Sequence, residues 1–127
     1  MKEILMHSYI EKEFNKYKFR HEVKFFRKKI DFTFIDNNSE VHAIELKVRD
    51  WKTALNQIDT NQLCANYCYL GIWYKNEKLV PRKIIKKYGF GLISVEKDKC
   101  DIIINPKKSP ILNINYHNFL KNQIEGV

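Results

Sequence analysis

Between Lys28 and Lys47 the chain reads KKIDFTFIDNNSEVHAIELK, two β-forming runs around a short polar turn, and no other stretch limits the fold as tightly. The first run, Lys29–Ile35, is apolar at Ile30, Phe32, Phe34 and Ile35, which predicts a strand covered on both faces and therefore central in its sheet. Asp36-Asn37-Asn38-Ser39 is turn chemistry, because short polar side chains bond their own backbone and tolerate left-handed conformations. The second run, Val41–Val48, carries Glu45-Leu46-Lys47, and strand alternation sends Glu45 and Lys47 to one face. Whether Asp31 joins them depends on register. A loop of odd length, such as Asp36–Glu40, sets Asp31 across from Glu45 and converges two carboxylates and an amine. An aspartate at the mouth of an apolar strand is costly unless it is paired, which favours a working Asp31 over an accidental one.

Such a trio has a chemical use. Hard divalent cations such as Mg²⁺, with Mn²⁺ as a substitute, take oxygen ligands, so Asp31, Glu45 and the main-chain carbonyl of Leu46 between Glu45 and Lys47 form a plausible set. The cation eases deprotonation of a coordinated water and neutralises charge building on a phosphoryl group, and Lys47 can orient or deprotonate the attacking water. Phosphodiester hydrolysis is the reaction these groups suit.

Asp31 followed by Glu45-Leu46-Lys47 resembles the signature of the PD-(D/E)xK nuclease superfamily, the restriction-endonuclease-like fold, with Ile30 where a proline often precedes the aspartate. The order of elements also resembles that family: helix, strand, strand with Asp31, strand with Glu45-x-Lys47, helix, strand. The resemblance implies an α/β fold with an αβββαβ core, a mixed central sheet flanked by helices, and a metal-dependent endonuclease acting on DNA. It also implies that an acid of the first helix completes the metal site. Glu3, in a pattern similar to that opening helix, is the first choice and Glu13 the second, with Glu11 near the edge of the same arc. The stretch Glu45–Gln57, with Ala65–Leu70 after it, is similar to a group of small stand-alone members in which a glutamine at the position of Gln57 supports the site. As a core-edge glutamine capping a backbone group, Gln57 needs no catalytic role, and both readings stand at this point.

The remaining elements follow from periodicity. Met6, Ile10, Phe14 and Tyr17 define one apolar arc of a helix over Lys2–Tyr17. Phe19–Arg27 is the first strand, and Glu22 on it is read as an edge ion pair with a lysine or as an entrant to the site. His42 points away from Glu45 by alternation and reads as structural. Asp50 is placed to cap a helix over Trp51–Ala65. Tyr67–Tyr74 is a further apolar strand, Arg82–Tyr88 a short basic helix behind Pro81 and ended by Gly89, and Tyr88–Val95 and Cys100–Asn105 a strand pair. Asn105–Asn113 reads as a loop and Tyr116–Gln123 as a short last helix. The 127 residues make one nuclease-like domain, with a core over about 2–74 and a C-terminal extension over 75–127.

A net charge of +8 and a pI near 9.4 suit a polyanion, because neutralising phosphates releases condensed counterions. The basic residues cluster, and Arg49 and Lys52 beyond Lys47, with Lys28 and Lys29 in the Lys24–Lys29 run, are the candidates for holding DNA, double-stranded or branched. The resemblance leaves open a structure-specific enzyme of the junction-resolvase kind, which would call for a homodimer, or a restriction, repair or mobile-element nuclease. Cys64, Cys68 and Cys100 make neither a zinc pattern nor an even disulfide set, and read as reduced thiols of a cytoplasmic protein. No apolar run reaches the roughly 20 residues of a membrane helix. The alternative to an enzyme is a nuclease-fold module that binds nucleic acid without cutting it.

Overall fold

In the computed structural model, which describes residues 1–126, the elements run α1 (Glu3–Phe14), β1 (Lys18–Phe25), β2 (Lys28–Ile35), β3 (Val41–Lys47), α2 (Trp51–Asn61), β4 (Tyr67–Trp73), a 3₁₀ turn (Tyr74–Leu79), α3 (Arg82–Lys87), β5 (Gly91–Val95), β6 (Cys100–Ile104) and α4 (Ile114–Glu125). The strands lie side by side in chain order. β1, β2 and β3 are antiparallel, β3, β4 and β5 are parallel through the α2 and α3 crossovers, and β6 returns antiparallel. The protein is therefore an α/β domain with a six-stranded mixed sheet flanked by helices.

Two apolar layers sandwich the sheet. On one face Met6, Ile10 and Phe14 of α1 pack on Phe32, Phe34, Ile44 and Leu46. On the other, Ala54 and Ile58 of α2 and Leu120 and Ile124 of α4 cover Val23, Ile30, Ala43, Leu70 and Ile72. The apolar run of β2 is thus covered on both sides as expected, but the strand is not central: it lies beside the edge strand β1. Residues 75–126 are no appendage to this core, since β5 and β6 extend the same sheet and α4 packs over β1 and β2. Asn113 caps α4 by accepting from the Asn115 and Tyr116 amides at 3.0 and 3.2 Å, and Arg20 of β1 donates to the Gln123 carbonyl at 2.7 Å.

The hairpin loop behaves as its composition predicts. The Asp36 carboxylate accepts the Asn38 and Glu40 amides, and Ser39 takes a positive φ of 62°. Its register, Ile35↔Val41 through Phe32↔Ile44, sets Asp31 opposite Glu45 at the next step. Other expectations need correcting at their ends. Asp50 precedes α2 but its side chain caps no amide; instead Thr53 Oγ1 donates to the Asp50 carbonyl at 3.0 Å. α2 stops at Asn61 rather than Ala65, because the amides of Gln62 to Ala65 turn back onto the Asp59, Thr60 and Asn61 carbonyls.

One feature of β2 breaks simple alternation. Ile30 and Phe32 are two residues apart, yet they lie in opposite layers. His21↔Phe32 and Val23↔Ile30 pair, while the Glu22 and Asp31 between them do not, and Glu22 has φ 50°. The two strands flip together at this point, and Asp31 stands at the kink. β4 supports the site from the far side of β3: a Cβ on Gly71 would lie 2.7 Å from Leu46 Cδ2 and 3.2 Å from Ile44 Cγ2. Gly71→Ala is expected to destabilise the fold by about 1–3 kcal/mol through overpacking, as urea unfolding would measure.

Candidate active site

The site lies where β2 and β3 part, at the C-terminal end of β3. The β2–β3 backbone ladder ends at Phe32↔Ile44, and one step on the Asp31 carboxylate takes its place: Leu46 N–H donates to Asp31 Oδ2 at 2.7 Å. In an extended strand the N–H and C=O of one residue point to the same side, so the Leu46 carbonyl also faces the gap that holds Asp31. Oδ1 of Asp31 has no hydrogen-bond partner among the described residues.

Glu45 projects from β3 beneath α2 and is 1 % exposed. Its Oε2 accepts from Lys28 Nζ at 2.8 Å and from Asn61 Nδ2 at 2.7 Å, leaving Oε1 without a partner among the described residues. Burial raises the Glu45 carboxyl from the usual 4.5 to about 7; the Lys28 charge opposes this and the Asp31 charge adds to it. The ion pair alone would have lowered it. Desolvation wins because almost no water reaches the group.

Lys28 was expected to hold nucleic acid, and the structure gives its ammonium other work. Its three acceptors are Glu45 Oε2, Asn61 Oδ1 at 2.6 Å and the Gln57 carbonyl at 3.2 Å, which match its three N–H bonds. Asn61, fully buried, bridges Lys28 and Glu45 and is a member of the site that sequence reasoning missed. The signal was available: Asn61 lies four residues after Gln57, hence on the same face of α2. The side chain of Gln57 itself has a buried Oε1 without a hydrogen-bond partner.

Lys47 is half-buried, follows Glu45 by two residues and makes no hydrogen bond or ion pair among the described residues. Glu3, at the start of α1, has its carboxyl raised by partial desolvation, with Lys47 opposing and Asp31 reinforcing, so both charges reach it. Glu11 and Glu13 are engaged elsewhere. Glu11 pairs with His21 at 2.6 Å, and Glu13 accepts the Cys100 amide at 3.0 Å. His42 bridges Asp36 and the Tyr69 hydroxyl at 2.8 Å each and stacks on Phe34, and burial holds it below its usual range against the pull of Asp36. Arg49, Asp50, Trp51, Lys52 and Leu79 line an open cleft just past Lys47, in which Lys52 lies 5.6 Å over the Trp51 ring. Lys29 is exposed on the opposite face of β2 from the Lys28 ammonium. Cysteine chemistry does not compete: burial pushes the Cys64 thiol up to about 12 and Cys68 well above its usual range.

The donors suit a hard cation in one respect and fall short in another. Asp31 and Glu45 each offer one unpaired oxygen beside a main-chain carbonyl, and Mg²⁺ commonly uses one or two carboxylates while keeping several waters. The raised Glu45 carboxyl, opposite a second acid, is a charge that a cation would relieve. However, no group of three or more His, Cys, Asp and Glu side chains among the described residues is placed to hold a metal, so Glu3 is not gathered with Asp31 and Glu45.

No helix among the described residues is long and apolar enough to cross a membrane. No protein-family model and no curated protein matches the sequence. The fold is similar to the solved structure of the SPO1766 protein of unknown function from Silicibacter pomeroyi, with a TM-score of 0.72 at 10 % identity over 95 % of this chain and 80 % of that one. At that identity the likeness is one of fold alone.

Proposed function

We propose that this chain is a metal-dependent endonuclease that hydrolyses DNA phosphodiester bonds from a restriction-endonuclease-like core, with Mg²⁺ held by Asp31, Glu45 and the Leu46 carbonyl. The observation that carries the reading is the parting of β2 and β3 at Asp31, which clamps that carboxylate to the Leu46 amide opposite Glu45. Bound there, the cation would supply charge neutralisation at the phosphoryl group and acidify a coordinated water. The chain does the rest. Leu46 N–H orients the Asp31 carboxylate, Lys28 and Asn61 fix the Glu45 carboxylate, and Lys47 presents a free ammonium to the attacking water. Gln57, whose carbonyl accepts from Lys28 and whose Oε1 is buried without a partner, supports the site from α2. Arg49 and Lys52 hold flanking phosphates without reading sequence.

The test is a panel of end-labelled linear, flapped and four-way DNA, incubated with the protein in Mg²⁺, in Mn²⁺ and in excess chelator. Cleavage is expected with either metal, absent with chelator and absent in Asp31→Asn. Metal-independent cleavage, or full activity in that variant, sinks the reading. One observation favours the non-cutting alternative, a nucleic-acid-binding module: Lys28 already occupies Oε2 of Glu45 as an internal counter-ion. That alternative expects no heat of Mg²⁺ or Mn²⁺ binding in calorimetry and no effect of either ion on DNA affinity.

A further inference from the structure

The β1–β2 hairpin turns through Phe26 and Arg27, and its tip combines three features that cost the fold something without serving its core. Phe26 adopts φ 56°, a left-handed conformation that a bulky side chain rarely takes. Its ring is 53 % exposed, yet it is braced on one side by Phe25 at 4.5 Å and by the edge of Tyr116 on α4 at 5.1 Å. Lys24 and Lys29 are directly opposed across the hairpin, a like-charge pair that weakens strand pairing. Together with Arg27 these two lysines are exposed, and none of the three enters an ion pair among the described residues. The acids on the same hairpin are Glu22 and Asp31, and the Asp31 carboxylate is engaged by the Leu46 amide. Strain and repulsion retained at an exposed tip point to a partner that offsets both.

The chemistry of that partner follows from the surface. A rigid aromatic face offers stacking, which every nucleobase accepts, and unpaired cations on either side of the ring offer phosphate neutralisation. Through Lys28 the tip is also mechanically part of the candidate site, because the residue two positions after Phe26 is the one whose ammonium holds Glu45. From Phe26 to Asp31 is five residues, about 17 Å when extended, or about five base steps of a duplex rising 3.4 Å each. A base already out of the stack accepts the ring without the cost of unstacking a duplex step, which favours such a base as its partner.

We propose that Phe26 stacks on an unpaired base about five steps from the bond that is cut, with Lys24, Arg27 and Lys29 on the adjoining phosphates. The proposal rests on the nuclease reading and deepens it: the substrate is branched or locally single-stranded DNA rather than continuous duplex. The hairpin selects for it.

The experiment separates the two readings by measuring binding in chelator, where no cutting occurs. Fluorescence anisotropy would compare a labelled forked DNA with a fully paired duplex of equal length for the wild-type chain, Phe26→Ala, Phe26→Trp and the double variant Lys24→Ala/Arg27→Ala, each checked by thermal melting. Wild type is expected to prefer the fork. Phe26→Ala is expected to lose about tenfold in affinity for the fork and little for the duplex, and Phe26→Trp to restore the preference. The double variant should weaken both DNAs alike and lower the salt slope by about two. Equal binding of fork and duplex by wild type, or an unchanged fork affinity in Phe26→Ala, overturns the proposal, as does failure of wild type to bind DNA. So does a wild-type dimer in sedimentation that Phe26→Ala dissociates with DNA affinity intact, since Phe119 and Ile114 of α4 are also exposed and the patch would then be a self-association face. Metal-dependent cleavage by a wild-type chain that binds fork and duplex equally sinks the hairpin alone. Fork preference without cleavage sinks the nuclease alone.

Discussion

Glu45→Gln is expected to raise the melting temperature of the metal-free protein at pH 8 by on the order of 10 °C and to leave it close to wild type at pH 4.5. Two effects compete. Removing the carboxylate deletes an ion pair with Lys28, which taken alone predicts destabilisation. The same change removes a charge from a site with almost no water, and the rise of the Glu45 carboxyl to about 7 says that desolvation outweighs the pair. The sign follows from proton binding. Below 4.5 both folded and unfolded chains hold the proton, and Glu45 costs nothing. Between 4.5 and about 7 the folded state keeps a proton the unfolded state has released, so stability falls as pH rises. The loss is complete above pH 7 and amounts to roughly 3 kcal/mol. Glutamine keeps an acceptor for Lys28 and Asn61 without the charge, so it escapes that loss. Mg²⁺ added at pH 8 should then raise the melting temperature of wild type and not of the variant. Differential scanning calorimetry across this pH range, with and without Mg²⁺, decides it. A variant less stable than wild type at pH 8 would mean that the pair with Lys28 outweighs the desolvation of Glu45.

Lys47→Ala is expected to reduce Mg²⁺-dependent cleavage by about 10²–10⁴-fold, the range typical of a positioned proton-transfer group. Stability should change by no more than about 0.5 kcal/mol. The two lysines of the site divide the work. Lys28 has all its donors spent inside the protein, so its removal strands Glu45 and Asn61 and damages the fold. Lys47 spends none, so its removal leaves the architecture intact and touches only what it does to a bound phosphate or water. Single-turnover rates at saturating protein separate a chemical defect from weaker binding. Activity within tenfold of wild type would remove Lys47 from the chemistry.

Much of the arrangement was legible in the chain because it is local. The apolar run of β2, the odd-length Asp36–Glu40 loop and the two-residue spacing of Glu45 and Lys47 predict a strand covered on both faces, a register and a shared face, and the register places Asp31 opposite Glu45. What was misread depends on contacts distant in sequence. Lys28 looked like one more cation in a basic run, since nothing local says that its ammonium ends between Glu45 and a carbonyl of α2. Glu13 shares the apolar arc of α1 with Glu3, but its carboxylate is taken by the Cys100 amide of β6, a partner no helical projection contains.

Periodicity, turn chemistry and charge by themselves determined the order of elements, the hairpin register and the basic character of the surface, because each is set by residues a few positions apart. Only the tertiary structure decided that β2 flips at Asp31, that α4 returns to close the layer over β1, and that Glu45 is desolvated enough to hold its proton near neutrality. These outcomes depend on how much water is excluded, and exclusion is a property of surfaces brought together from α1, α2, α4 and the sheet.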